Sequence, residues 1–219
     1  AGNAKLQSTT SDSRTNVDSG RMDLEFVEGQ DQNELRKVIA TGGATVRSEP
    51  IVKPKVPPAD TRIIRSDGLT LTMRAGGKDM ERADTHAAGV VEFIPNRAGQ
   101  KHRIVNGQTM SVEYGASNQI KTFTSTDVST RTDNDPVKGK PQPPSLTWSK
   151  GMVAHFDEKS GNLTLLEQWD HFRYEDGDRR AVADRAEMHQ TTDEMKLLGS
   201  ARVWDATGST TADTIQMKQ

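Results

Sequence analysis

The sequence predicts an all-β protein built as two facing antiparallel sheets. Three observations predict it. Short runs that alternate apolar and polar residues recur along the whole chain, and an apolar/polar period of two is the mark of a half-buried strand. Most of these runs sit beside a Gly or Asp, and those markers return at a regular interval. Finally, only 32% of the 219 residues are apolar and 5% aromatic. That share fits one thin apolar layer better than a thick core wrapped by helices.

The elements fall into two alternating types. The first opens on a polar residue with Gly or Asp and then alternates, as in residues 20–26 (GRMDLEF), 67–73 (DGLTLTM), 106–114 (NGQTMSVEY) and 150–156 (KGMVAHF). Shorter copies at 183–188 (ADRAEM) and 212–217 (ADTIQM) carry Asp in place of Gly. The second type climbs to a small residue and continues as a strand: 37–46 (KVIATGGATV), 85–93 (THAAGVVEF) and 194–203 (EMKLLGSARV). Residues 120–130 and 163–174 occupy the same places without the glycine.

The markers Gly20, Gly68, Gly107, Gly151, Asp184 and Asp213 are separated by 48, 39, 44, 33 and 29 residues. The two steps of 48 and 44 contain the proline clusters Pro50–Pro58 and Pro136–Pro144. Without those excursions a repeat of about 30–40 residues, two strands each, holds throughout. Proline fixes its own φ and cannot donate to a ladder, so 50–60 and 133–147 read as long loops.

Two segments, Leu35-Val38-Ile39 and 183–198, also place apolar residues at helical spacing. The β-branched content of 120–130 in an equivalent slot favours strands. Leu163, Leu165 and Leu166 break the alternation, which predicts a β-bulge there. The domain reading is a polar edge strand or disordered segment over 1–19, then one β-domain over 20–219.

The chemistry-bearing residues point away from several classes of function. Twenty-nine Lys and Arg against 31 Asp and Glu, interspersed, give a net charge of −2. A nucleic-acid partner is not expected, because phosphate binding needs a concentrated basic surface. There is no cysteine, so thiolate ligands and thiol nucleophiles are absent. The histidines His86, His102, His155, His171 and His189 show no metal-ligand spacing. Asp176-Gly-Asp178 reads as a hairpin turn and not as a calcium loop. No phosphate loop, dinucleotide fingerprint or nucleophile elbow is present. The expectation is a protein without enzymatic activity, cofactor or metal.

The alternation over 148–217, with Gly151-Met-Val-Ala-His-Phe156, Ala183-Asp184-Arg-Ala186, Leu197-Leu-Gly199-Ser-Ala-Arg-Val203 and Ala212-Asp213, resembles the OstA-like β-jellyroll family. LptA, LptC and the periplasmic part of LptD share that fold. Residues 20–132 repeat the theme more loosely. The resemblance implies a slightly open jellyroll with a lengthwise apolar groove, located in the periplasm of a Gram-negative cell. Its implied role is to shield the acyl chains of lipopolysaccharide or a similar lipid between inner and outer membrane. It further implies end-to-end pairing with other OstA-like domains or with a second copy.

On this resemblance the groove would be lined by Leu24, Phe26, Leu71, Met73, Val91, Phe93, Val112, Phe156, Leu165, Leu197, Val203 and Ile215. Edge pairing would use Thr210, Ala212, Thr214 and Gln216. The alternative is a structural or adhesive β-repeat module of a larger envelope protein, with a closed, dry core. Residue by residue, an inward Met or Phe is more often plain core than a ligand contact.

Overall fold

The structure, a computed structural model, describes residues 3–29, 32–55, 57–115, 118–192 and 194–218. Alternating sequences produce strands throughout, and among the described residues there is no α-helix. The strands are β1 (Ala4–Thr9), β2 (Ser13–Ser19), β3 (Arg21–Glu28), β4 (Asn33–Pro50), β5 (Thr61–Met73), β6 (Met80–Thr85), β7 (Gly89–Ile94) and β8 (Arg103–Gly107). They continue with β9 (Thr109–Tyr114), β10 (Ile120–Thr132), β11 (Ser145–Phe156), β12 (Leu163–Asp176), β13 (Arg179–His189), β14 (Glu194–Trp204) and β15 (Ser209–Lys218). Both segments with helical spacing are strands, β4 and β13–β14, because pairing along both edges outweighs a weak local preference. All the pairings are antiparallel and join the strands into one sheet.

Part of that sheet closes on itself. One half of β5 pairs with β6 and the other half with β7. β10 does the same with β9 and β8. Because β6 also pairs with β9, and β7 with β8, the strands β5, β6, β9, β10, β8 and β7 form a closed barrel of six. β4 continues the sheet beyond β5, with β2 and β1 on one half of its length and β3 on the other. Beyond β10 the long strands β11 to β15 follow in order.

The repeat in the sequence is the crease of this folded sheet. Ladder registers shift between Thr41 and Ala44, Trp148 and Gly151, Trp169 and Phe172, Val182 and Arg185, and Leu198 and Ala201. The backbone turns left-handed along the same line, at Gly42 and Gly43, Asp127, Asp170 and His171, and Gly199 and Ser200. Apolar residues stay inward on both sides of the bend: in β10 and β11 the inward set changes parity there (Phe123 to Val128, Thr147 to Met152), while in β4, β12 and β14 it keeps the same parity. Gly199 shows why the small residue is needed: its φ is +73° and a Cβ would run into the Asp184 carboxylate.

Register then aligns the interior. On one side of the crease an apolar row crosses the whole sheet: Leu24, Val38, Leu71, Ala83, Val112, Phe123, Ala154, Leu166, Met188, Met195 and Met217, each directly opposite the next. On the other side the matching row begins Val17, Val46, Ile64, Val91, Val105 and then changes to Thr130, Thr147 and Tyr174. Within the barrel both rows are apolar and pack into a filled core. A second, smaller core around Phe172, Tyr174, Met195 and Leu197 lies under β12 to β14 and is rich in alanine.

Candidate functional site

Where the second row turns to hydroxyls, the two sides of the sheet part. A cavity of about 510 Å³ opens between the filled barrel and the second core. One wall is apolar, made by Phe123, Met152, Ala154, Phe156, Leu163, Leu166 and Met188. The other carries Thr130, Thr132, Asn134, Ser145, Thr147, Tyr174 and Asp176. Phe93 from β7 meets Phe156 from β11 at the barrel end, their rings stacked with centroids 6.1 Å apart and planes 20° apart. Phe93 and Phe123 also line a space of only about 10 Å³ inside the barrel. They therefore divide the cavity from the barrel interior.

The polar wall is held by its own hydrogen bonds. The Thr130 and Thr147 hydroxyls share one at 2.6 Å. Asp176 accepts from Asn134 Nδ2 at 2.8 Å, Ser145 Oγ at 3.1 Å and Tyr174 OH at 3.2 Å. Burial, then the adjacent Asp176 charge, pushes the Tyr174 phenol up to about 12, so it stays a donor at neutral pH. Asp176 and Arg179 close the two-residue turn through Gly177 and Asp178 that the sequence predicted.

Loops close the barrel end of the cavity. The proline-rich segment after β4 is tied down by Asn96 Nδ2, which donates to Ala59 O at 2.8 Å, and by Gln100 Nε2, which donates to Pro58 O at 3.1 Å. This places Asp60 in the cavity lining beside Gly99, Lys101 and Arg103. Burial holds the Asp60 carboxyl above the ordinary range despite Arg103, Arg62 and Arg97 nearby. The adjoining rim is latched at His102, whose Nδ1 lies 2.9 Å from Asp133 and Nε2 3.0 Å from Glu92. Arg131 and Arg65 hold those two carboxylates from their far sides.

The latch has a defined pH sign. The hydrogen bond to Asp133, then that to Glu92, raises the His102 value above its ordinary 6.5 against partial burial. Its stabilisation is fully present below about 6.5 and is lost as pH rises through the raised folded value. Glu92 is lowered by its hydrogen bonds to Arg65 and His102, and Asp133 by that to His102 and then Arg131. Their share is present above their ordinary values and lost as pH falls through the lowered ones. The latch is therefore strongest between the ordinary carboxylate and histidine values. Thermal unfolding at pH 5.5 and pH 8 should show the unaltered protein losing more stability over this step than His102→Gln; identical losses would refute the latch.

The twelve residues expected to line a groove divide into five sets. Phe93 and Phe156 line the cavity. Leu71, Met73, Val91 and Val112 are buried in the filled core that includes the barrel, where the sequence reading expected open space. Leu197 is fully buried in the second core, with Val203 and Ile215 packed against it. Leu24 and Phe26 are 43% and 55% exposed, since among the described residues β3 pairs only with β4 and only its Met22 packs against the core.

Leu165 is displaced by the expected bulge. His155 pairs with Leu165 while Phe156 pairs with Leu163, so Leu165 shares the outer face with His155 and Leu166 takes the inward place. Thr210, Ala212, Thr214 and Gln216 lie exposed on β15, which pairs only with β14 among the described residues.

Sequence reasoning missed Asp60, Arg62, Arg103 and the Thr130–Thr147 wall. The available signal was parity: Arg62 and Arg103 both stand directly opposite the inward Phe93. Among the described residues no three His, Asp or Glu side chains gather as metal ligands would. No family model, curated protein or solved structure matches this chain.

Proposed function

We propose that this chain is an OstA-like β-jellyroll domain that carries lipid in the periplasm, lipopolysaccharide or a similar amphiphile, with its acyl chains in the cavity. The observation that carries the reading is the apolar row from Leu24 to Met217, which faces open space at Phe123, Ala154, Leu166 and Met188. Each methylene moved from water to such a surface contributes about 0.8 kcal/mol. Shielding therefore needs neither a catalytic group nor a cofactor. A cavity of about 510 Å³ falls within the roughly 300–1,000 Å³ typical of small-ligand sites. It suits part of a lipid, one or two chains, and not a whole many-chain molecule. Methionines at Met152 and Met188 supply walls that adapt to variable chains.

The edges supply the rest of the proposal. Among the described residues β15 has an unpaired edge at one end, and β1 and β3 pair on one side only at the other. Each would accept a strand from another OstA-like domain or a second copy by β-augmentation. The filled barrel core favours the alternative, a structural repeat module, for residues 61–132 alone.

A photoreactive side chain at Phe156 separates the two readings. Irradiation in the presence of lipopolysaccharide should give a lipid adduct at Phe156 and none at Val153, which lies on the outer face of the same strand. Absence of an adduct at Phe156, or equal labelling at both, would sink the carrier reading.

A further inference from the structure

Several exposed arginines are paired with carboxylates, whereas three near Phe93 and Asp60 are not. On the exposed surface Arg21, Arg47, Arg65, Arg82 and Arg131 each hold a carboxylate at 2.7–3.0 Å. Arg62, Arg97 and Arg103 have no such carboxylate partner among the described residues: Arg103 lines the cavity, Arg62 lines the small space behind Phe93, and Arg97 lies on the loop after β7. Arg62 is only 8% exposed. Its Nη2 donates to Gly161 O at 3.1 Å and its guanidinium lies 5.9 Å from the centre of the Phe156 ring, while its Nε has no partner. Arg97 Nη2 donates to Asn162 Oδ1 at 2.9 Å, and its Nε is likewise buried and unpartnered. Arg103 Nη2 donates to Gln190 Oε1 at 2.7 Å.

Burying a cation without an anion costs more than any exposed pair returns. Asp60 supplies one carboxyl near all three arginines, and three guanidinium groups beside one carboxyl keep a surplus of positive charge that a further anion would balance. Register places this surplus beside Phe93. Arg62 and Arg103 flank Phe93 from β5 and β8, so all three side chains belong to the inner face. Lys101 and Arg103 line the cavity beside Asp60, whose buried Oδ1 also lacks a partner. The group thus sums to four cations and one carboxyl.

We infer that Arg62, Arg97 and Arg103, with Lys101, form a subsite for one anionic group, a phosphate or carboxylate, at the head of a chain that lies over Phe93 and Phe156. Asp60 faces the same ligand as the acceptor for a hydroxyl or a protonated head-group oxygen. The inference rests on the lipid-carrier reading and adds to it the charge and direction of the ligand: head at the barrel end, chain toward Leu166 and Met188. Guanidinium groups suit this task because their fork matches phosphate and carboxylate oxygens.

The test uses probes that share one dodecyl chain: dodecyl phosphate, dodecanoate and the neutral dodecyl maltoside, each below its micelle threshold, with inorganic phosphate alone as a fourth arm. Binding is followed by calorimetry. The two anionic amphiphiles should bind about tenfold or more tightly than the maltoside, as a charge-assisted hydrogen bond predicts. Arg103→Gln should close most of that gap without weakening the maltoside. Arg97→Gln, on a loop, repeats the test should Arg103→Gln not fold. Equal binding of all three amphiphiles overturns the subsite and leaves the carrier reading standing. Inorganic phosphate binding as tightly as dodecyl phosphate overturns the lipid head in favour of a free anion. No binding by any amphiphile overturns both.

Discussion

Phe123→Ala should be the most damaging single truncation in this protein, lowering stability by about 3–5 kcal/mol. Phe123 is 1% exposed and stands directly between Val112 on β9 and Ala154 on β11. Ala154, its partner on β11, carries only a Cβ and cannot fill the vacated space. The loss is a large part of the ~5–15 kcal/mol that holds a typical domain together. The effect goes beyond an ordinary cavity, because Phe123 divides the space of about 510 Å³ from that of about 10 Å³ inside the barrel. Urea unfolding should show the drop, with Phe123→Leu recovering most of it. Phe156→Ala provides the comparison, since both rings line the cavity but Phe156 is half-buried and Phe123 fully buried. If Phe156→Ala costs as much as Phe123→Ala, Phe123 is not the partition described.

The all-β class was legible in the sequence and so was the repeat, although the sequence reads it as strand pairs in two facing sheets and not as a crease in one. A strand that bends must spend a residue out of phase, and the residue best able to do so is Gly or a short polar one such as Asp. Gly42 and Gly199 take a left-handed conformation at the bend, and the periodic markers Gly68, Gly151 and Asp184 lie beside it on the neighbouring strands. Parity alone also anticipated the bulge at Leu163–Leu166.

The division of the interior into a filled barrel and an open cavity was not legible. It depends on which short strands close a ring, and β6, β7, β8 and β9 look like any others in their alternation. Leu71 and Val112 read as groove and are packed core, whereas Leu24 and Phe26 read as interior and lie exposed on an edge. The cationic end was hidden for a different reason. Arg62 and Arg103 stand at inward positions, but single charged residues within a polar chain carry no weight until register sets them beside Phe93.

Ala154→Trp should weaken acyl-chain binding by about 100-fold while leaving the fold nearly untouched, and this separates the cavity's role in binding from its role in stability. Ala154 is 4% exposed, sits in the apolar row between Phe123 and Leu166, and lines the cavity. Overpacking a filled core costs about 1–3 kcal/mol. Here the indole enters space that is already open, and its own burial offsets much of the strain. Excluding three or four methylenes of a chain, at about 0.8 kcal/mol each, weakens binding by about 100-fold. Val153→Trp is the matched control, one residue away on the outer face opposite the exposed Thr124. Affinity for dodecyl phosphate should collapse in the first variant and hold in the second, with melting temperatures of both close to the unaltered protein. Retained binding in Ala154→Trp would place the lipid elsewhere on the molecule, because an indole and an acyl chain cannot share the space between Phe156 and Leu166.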